Sequence, residues 1–149
     1  MMMIGYDHKK RYKLQETEAF TLLELVVVLA IIGILASIGL SLMVSAKKSA
    51  YEITAKHDLQ NFAKAEEMYF TENNAFLGNV GQSFRNDGGA SDFVLADFTP
   101  SKGISITIIS GSANDPFDPG NPYIAQSLHK DNSSKKYGYN FITKKMTKQ

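Results

Sequence analysis

Cysteine is absent from the 149 residues of this chain. The protein can therefore form no disulfide framework, thiolate nucleophile, iron–sulfur cluster or cysteine-ligated zinc site, and its stability has to come from packing. An excess of charge of one sign is also missing, because 16 basic and 15 acidic residues leave a formal net charge of +1. Since phosphate binding needs a surplus of Lys and Arg, no specific nucleic acid partner is predicted.

Patterns typical of catalytic sites are missing as well. The chain has no G-x-S-x-G, no glycine-rich phosphate loop and no H-E-x-x-H, and no sequence pattern links its three histidines, His8, His57 and His129. The length suffices for one ordinary domain and excludes two large ones. The sequence therefore predicts a structural protein and not an enzyme.

One long apolar run stands out, from Leu22 to Val44, and it contains a single charge, Glu24. A helix of about 20 residues rises about 30 Å, which matches the hydrocarbon core of a bilayer. A buried helix of a small soluble domain would be shorter and polar on one face. The run therefore predicts a membrane-spanning helix.

A cleavable secretory signal is the alternative interpretation of this run. The run is too long for the apolar core of such a signal, and no small-residue cleavage site follows it. Four basic residues precede it and only Lys47 and Lys48 follow it closely, so the positive-inside rule places the N-terminus in the cytoplasm. The four are Lys9, Lys10, Arg11 and Lys13. Residues beyond Val44 then face the outside.

The junction between the polar leader and the apolar run reads Glu18-Ala19-Phe20-Thr21-Leu22-Leu23-Glu24-Leu25. This segment resembles the N-terminal motif of type IV prepilins, with Ala19 where the family usually has Gly. The resemblance implies that a prepilin peptidase removes residues 1–19 as a cytoplasmic leader by cutting between Ala19 and Phe20. It also implies that the new amino group of Phe20 is then N-methylated.

Glu24 has two interpretations on physical grounds. A carboxylate in an apolar membrane helix costs up to about 2.5 to 3.5 kcal/mol on insertion scales, so it needs either a partner or access to the interface. Because Glu24 lies only four residues after Phe20, its side chain can reach the interface. The resemblance to pilins implies instead that Glu24 pairs with the positively charged N-terminus of a neighbouring subunit during filament assembly.

Small residues recur every four positions within the run, at Gly33, Ser37 and Ser41. This spacing places them on one ridge of a helix, where they permit close helix–helix packing. Small residues are also common in membrane helices without such a role, and the sequence does not decide between the two.

Helical character continues from residue 45 to residue 72, a stretch without Gly or Pro. Apolar residues fall within about a third of the helical circumference, as expected for a helix that lies on a sheet. They are Tyr51, Ala55, Leu59, Phe62, Ala63, Tyr69 and Phe70. Glu66 lies inside this stripe, and we expect its side chain either to reach a polar edge or to contact another subunit.

The remaining residues predict a small antiparallel sheet. A polar connection at 73–103, with a short strand or helical turn at 92–98, precedes the alternating strand Ile104-Ser105-Ile106-Thr107-Ile108. Two further strands are predicted within a sheet region at 104–143, and a basic tail at 144–149. The predicted fold class is α+β: a long N-terminal helix, half membrane segment (20–44) and half amphipathic, packed on three or four strands. The element order at 45–149 is again similar to type IV pilins.

The segment 114–123 is rich in Asn, Asp, Pro and Gly. Asp115 and Asp118, with neighbouring side-chain carbonyls, are oxygen ligands of the kind that Ca²⁺ takes, and the segment resembles the calcium-stabilised loop of type II secretion pseudopilins. The alternative is a proline-stiffened loop between two strands, since the same residues are common turn formers. No other cofactor is predicted.

The resemblance implies a pilin that forms a homopolymer, with prepilin peptidase, the inner membrane and the pilus assembly machinery as its partners. Before assembly it would span the inner membrane once, with a cytoplasmic N-terminus, and after assembly it would form an extracellular filament. Two alternatives remain open at this stage, a pseudopilin of a type II secretion system and a monomeric binding protein that uses the helix as a tether. Residues 45–149 are predicted to form a globular head. Its uneven charge, acidic in 86–118 and basic in 130–149, allows adjacent subunits to face each other with opposite charges.

Overall fold

A single long helix opens the described part of the chain. The computed structural model describes residues 20–149, and its first element is helix α1, Leu22–Asn73. The helix ends where Asn74 adopts a left-handed backbone with a φ of 52°, a conformation that Asn tolerates better than most residues. The described chain divides after Leu40 into two units, of which the second is Ser41–Gln149.

The first unit consists of apolar helix without any covering layer. Every described residue from Phe20 to Leu40 is exposed. Helix α1 is long and apolar enough to cross a membrane, and its apolar window has no residue buried within the structure. By length and composition α1 is therefore a candidate membrane-spanning helix, which fits the sequence prediction.

Five antiparallel strands form the sheet of the second unit. They are β1 Ser83–Arg85, β2 Ile104–Ser110, β3 Ile124–His129, β4 Tyr137–Asn140 and β5 Lys145–Lys148. Their order in the sheet is their order in the chain, so the sheet is a meander with β1 and β5 at its two edges. A short 3-10 helix, Lys130–Asn132, connects β3 to β4.

The core lies between the second half of α1 and one face of this sheet. Leu59 and Phe62 of the helix and alternate residues of β2 are fully buried, as the period of two in β2 requires. Aromatic rings of the core contact one another in edge-to-face or tilted pairs, among them Phe76, Tyr123 and Phe141 with ring centres 4.8 to 5.3 Å apart. Such ring pairs add to the stabilisation that burial alone provides.

Polar contacts attach the helix to the sheet along the same length. The hydroxyl of Ser127 in β3 donates to the carbonyl oxygen of Ala55 at 2.7 Å, and both residues are buried. Asp58 accepts from the backbone N–H of Ser101, and Glu52 accepts from Lys135. The bonds of Ser127 and Asp58 satisfy buried groups that would otherwise be costly to bury, whereas the pair of Glu52 and Lys135 is partly exposed.

The α+β class and the long helix on an antiparallel sheet are confirmed, but the sheet has five strands where the sequence predicts three or four. The connection predicted at 73–103 contains β1, a strand of three residues in which only Phe84 is buried, opposite Ile106. The residues predicted as a basic tail form β5, because an edge strand tolerates lysines on its exposed side while Met146 packs against the core. At 92–98 the chain makes a turn at Ala96–Asp97 and no strand.

Gly111 offers a direct test of the connection after β2. Its φ is +94°, and a Cβ there would lie 2.3 Å from Cα of Tyr123, whereas a Cβ on Gly81, with a φ of +89°, would meet nothing within 4 Å. We expect Gly111→Ala to lower the free energy of unfolding by about 2 to 5 kcal/mol, from backbone strain plus overpacking. Gly81→Ala should cost only the strain, about 1 to 2 kcal/mol. Denaturant unfolding of the full chain in detergent, followed by near-ultraviolet circular dichroism, measures both; equal effects would contradict the packing argument.

Candidate assembly site

The start of helix α1 is fixed by reciprocal hydrogen bonds between Thr21 and Glu24. The backbone N–H and the hydroxyl of Thr21 both donate to Oε2 of Glu24, at 2.9 and 2.8 Å. The backbone N–H of Glu24 in turn donates to Oγ1 of Thr21 at 3.2 Å. This is a capping box, in which a Thr before the helix and a Glu three residues later satisfy each other's backbone donors. The T-x-x-E spacing that marks this box is visible in the sequence, although no role for Thr21 is predicted above.

The capping box orients the carboxylate of Glu24 toward the beginning of the helix. Phe20 precedes the cap, outside the helix, and is 84% exposed. A carboxylate offers about four acceptor positions, and the bonds to Thr21 all use Oε2, so Oε1 can accept from a further donor. The positive end of the helix dipole also favours a negative charge here. Ala19 lies outside the described residues, so the predicted cleavage bond cannot be placed.

The apolar side chains after Glu24 present a continuous exposed surface. Eleven Leu, Ile and Val side chains between Leu25 and Leu40 are 46 to 64% exposed. Soluble monomers rarely expose a contiguous apolar patch of more than a few hundred Å². The surface therefore requires lipid or other apolar helices around it.

The small residues predicted to permit helix packing lie on this surface or next to it. A Cβ built on Gly33 meets nothing within 4 Å, so no part of the described chain occupies that position. Ser37 donates its hydroxyl to the carbonyl oxygen of Ile34 at 2.7 Å and so satisfies its own polar group within the helix. Ser41 is the first residue of the second unit. The packing interface predicted for these residues stays a prediction.

Glu66 is fully buried in the head, whereas the sequence predicts that its side chain reaches a polar edge or contacts another subunit. Its Oε2 accepts from the backbone N–H of Leu77 at 2.8 Å, while its Oε1 has no hydrogen-bond partner among the described residues. Burial raises the pKa of the Glu66 carboxyl to about 8, against the smaller opposing effect of the Leu77 bond. The carboxyl is therefore largely neutral at pH 7.

Tyr123 completes this cluster. Its hydroxyl donates to the carbonyl oxygen of Leu77 at 2.5 Å and lies 3.2 Å from that of Gly78. Burial, and secondarily the charge of Glu66 when ionised, raise the pKa of Tyr123, which keeps the phenol a donor. Glu66 and Tyr123 thus hold the same residue, Leu77, through its N–H and its C=O, and fix the chain just after α1 to the sheet.

The loop predicted to bind calcium is closed by its own hydrogen bonds. Oδ1 of Asp118 accepts from the backbone N–H of Gly120 at 2.8 Å, and Oδ1 of Asn121 accepts from that of Gly111 at 3.2 Å. Asp115 forms an isolated antiparallel bridge with Ser112. Among residues 20–149, no group of three or more His, Cys, Asp or Glu side chains is arranged to hold a metal ion. These bonds are typical of a turn, and calcium binding at Asp115 and Asp118 stays a prediction.

No family profile matches the chain, but its sequence is similar to that of a known pilus protein. The chain is 30% identical over 101 residues to the type IV wide pilus major component PilA4 of Thermus thermophilus. The matched region covers 68% of this chain and 70% of that protein.

The buried carboxyl of Glu66 makes the stability of the head depend on pH. Folding raises its pKa from 4.5 to about 8. Below pH 4.5 the carboxyl is neutral in both the folded and the unfolded chain. As the pH rises from 4.5 to 8 the carboxyl ionises more readily in the unfolded chain, so the folded state loses stability. In that window the free energy of unfolding should fall by up to about 1.4 kcal/mol per pH unit. Glu66→Gln, which stays neutral, should remove this dependence, whereas Glu72→Gln, at an exposed position of the same helix, should retain it. Unfolding in denaturant at pH 5, 6.5 and 8 distinguishes them, and parallel curves for the wild type and Glu66→Gln would contradict the assignment.

Proposed function

Because the chain belongs to the type IV pilin family, we propose that it is a pilus subunit that polymerises after removal of residues 1–19 and N-methylation of Phe20. Pilins are structural proteins and not enzymes, in agreement with the absence of catalytic motifs in the sequence. A prepilin peptidase is the proposed processing enzyme, and the pilus assembly machinery of the inner membrane is the proposed partner during polymerisation. The filament would lie at the cell surface.

The single observation that carries this proposal is the uncovered apolar surface of the first unit. Every described residue from Phe20 to Leu40 is exposed, and the helix is long enough to cross a bilayer. Lipid covers such a surface before assembly, and the helices of other subunits cover it afterwards. A subunit that passes from one environment to the other exchanges one apolar contact surface for another, so little hydrophobic free energy opposes the transfer.

Helix insertion into a filament needs a feature that sets the axial register, and Glu24 is the proposed one. Its Oε1 can accept from a neighbouring subunit's amino group at Phe20 while its Oε2 stays with Thr21. Among packed helices that exclude water, such a charge pair is strong, and a misaligned subunit would leave both charges buried without a partner, at about 3 to 5 kcal/mol. We propose that Gly33, Ser37 and Ser41 then permit close approach of adjacent helices.

A pseudopilin of a type II secretion system is the alternative within the family. Dependence on calcium distinguishes it from the proposed pilus subunit. The loop containing Asp115 and Asp118 has hydrogen bonds of its own, and we propose that the pilus subunit does not depend on calcium there. The monomeric tether is the remaining alternative, and it would require no processing by the peptidase.

Mass spectrometry of the N-terminus in sheared surface material and in membranes tests the proposal. A methylated chain that begins at Phe20 in sheared filaments, recovered equally with and without about 1 mM calcium chelator, is the expected result. Processed protein that stays in the envelope and is destabilised by the chelator would favour the pseudopilin. An uncleaved chain would contradict both and support the tether.

Substitutions at the capping box separate a local role of Glu24 from its role in assembly. Gln can also serve in a capping box, so Glu24→Gln keeps the bonds to Thr21 but removes the charge. We expect this variant to be processed normally. The amount of sheared filaments that it forms should be at least tenfold lower than that of the wild type. Thr21→Ala is the matched control, because it removes the side-chain cap, about 1 kcal/mol, and keeps the carboxylate. Immunoblots of sheared and cell-bound protein measure the ratio; assembly of Glu24→Gln at the wild-type level would exclude the charge pair.

A further inference from the structure

A cleft opens on one flank of helix α1, where the helix meets the turn at Ala96–Asp97. It has a volume of about 180 Å³, and its walls come from the helix and from the connection between β1 and β2. Four residues give an apolar floor, namely Ala65, Met68, Tyr69 and Leu95. Met68 is 60% exposed although it lies in this floor, so the cleft is an apolar surface open to solvent.

Two carboxylates stand at the rim of this cleft, Glu72 from the helix and Asp97 from the turn. Both residues are exposed, and neither forms an ion pair within the described part of the chain. Asp87 is paired with Arg85 and Glu67 with Lys144, whereas Asp92, Asp115 and Asp118 likewise form no ion pair within residues 20–149. Glu72 and Asp97 differ from those three because they line the cleft together with apolar side chains. An apolar floor with two unpaired carboxylates fits one kind of ligand, an aliphatic chain that ends in a cation.

The opposite edge of the sheet supplies side chains of this chemistry. Strand β5 contains Lys145 and Lys148, separated by Met146 and Thr147. Lys148 lies close enough to Glu52 to lower the pKa of that carboxyl, although the hydrogen bond from Lys135 has the larger effect. Lys145 is exposed and has no ion-pair partner within residues 20–149. Its amino group is therefore available to an external carboxylate.

The two surfaces lie on opposite sides of the same head. The order of the strands puts β1 and β5 at the two edges of the sheet. The helix residues that line the cleft differ from those facing β4 and β5, which include Glu52, Lys56, Gln60 and Lys64. Complementary patches on opposite sides of one molecule give a head-to-tail contact, and such a contact repeats in the same direction without closing into a two-fold dimer.

We propose that the cleft bounded by Glu72 and Asp97 binds strand β5 of a second copy of this chain, with Lys145 entering between the two carboxylates. This inference rests on the proposed function, because it assigns the contact that the heads make once the helices have brought them together. The aliphatic part of Lys145 covers the floor of the cleft, and its amino group neutralises two charges that the head leaves unpaired. Oppositely charged patches also fix the orientation and register of the neighbour, so the contact adds specificity to an assembly driven by the helices.

Carbodiimide treatment of sheared wild-type filaments tests this contact without any substitution. The reagent joins a carboxylate directly to an amine, with loss of water, only where the two groups touch. Mass spectrometry should find peptides that link Asp97 or Glu72 to Lys145, in material that runs as dimers and higher oligomers on a denaturing gel. The contact between Glu67 and Lys144 within one head, at 3.1 Å, is the internal positive control.

Two substitutions give the matched comparison. Lys145→Gln should reduce the cross-linked oligomers at least tenfold, while Lys130→Gln, at another exposed lysine of the head, should leave them unchanged. Links from Asp97 or Glu72 only to lysines outside β5 would overturn the inference. So would filaments that give the Glu67–Lys144 link but none from the cleft to β5. If the wild-type chain forms no sheared filaments at all, the proposed function itself fails, an outcome distinct from the loss of one cross-link.

Discussion

The apolar half of helix α1 cannot remain in water, and this constraint governs the rest of the molecule. The described residues from Phe20 to Leu40 have no covering layer of their own, so they depend on lipid or on copies of the same helix. Everything else in the chain is compatible with that dependence. The capping box between Thr21 and Glu24 satisfies backbone donors that lipid could not satisfy, and it leaves the carboxylate facing the end of the helix.

The second half of helix α1 has a different role, because it packs against a small sheet. Burial of Leu59 and Phe62 provides the apolar contact, and the bond from Ser127 to the carbonyl oxygen of Ala55 fixes the position of the helix on the strands. Glu66 and Tyr123 secure the chain beyond the helix by holding Leu77 from two sides. The head is thus stabilised without disulfides, by packing and by polar groups that satisfy one another.

Much of this arrangement can be predicted from the sequence. The features that cannot be predicted have one physical reason in common, which is that they depend on contacts between distant parts of the chain. The apolar run and the alternation in β2 each repeat over many residues, so a periodic pattern predicts them. Strand β1 has three residues and β5 is rich in lysine, and both form because a neighbouring strand offers a partner, which no local pattern encodes. The burial of Glu66 likewise depends on loops that close over it, and the cleft at Asp97 exists only once the turn lies against the helix. The motif at Phe20 predicts the family, which the similarity to PilA4 supports, but the roles of individual residues there stay predictions.

Strand β5 has a further consequence for heads that lie side by side. As an edge strand it offers unpaired backbone N–H and C=O groups, and heads anchored side by side would meet at a high effective concentration. Such edges tend to pair with each other and to nucleate amyloid-type aggregates. Lys145 and Lys148 oppose this misassociation, because two β5 edges that approach each other bring like charges together. The lysines therefore protect the heads from irreversible aggregation wherever they are held close to one another.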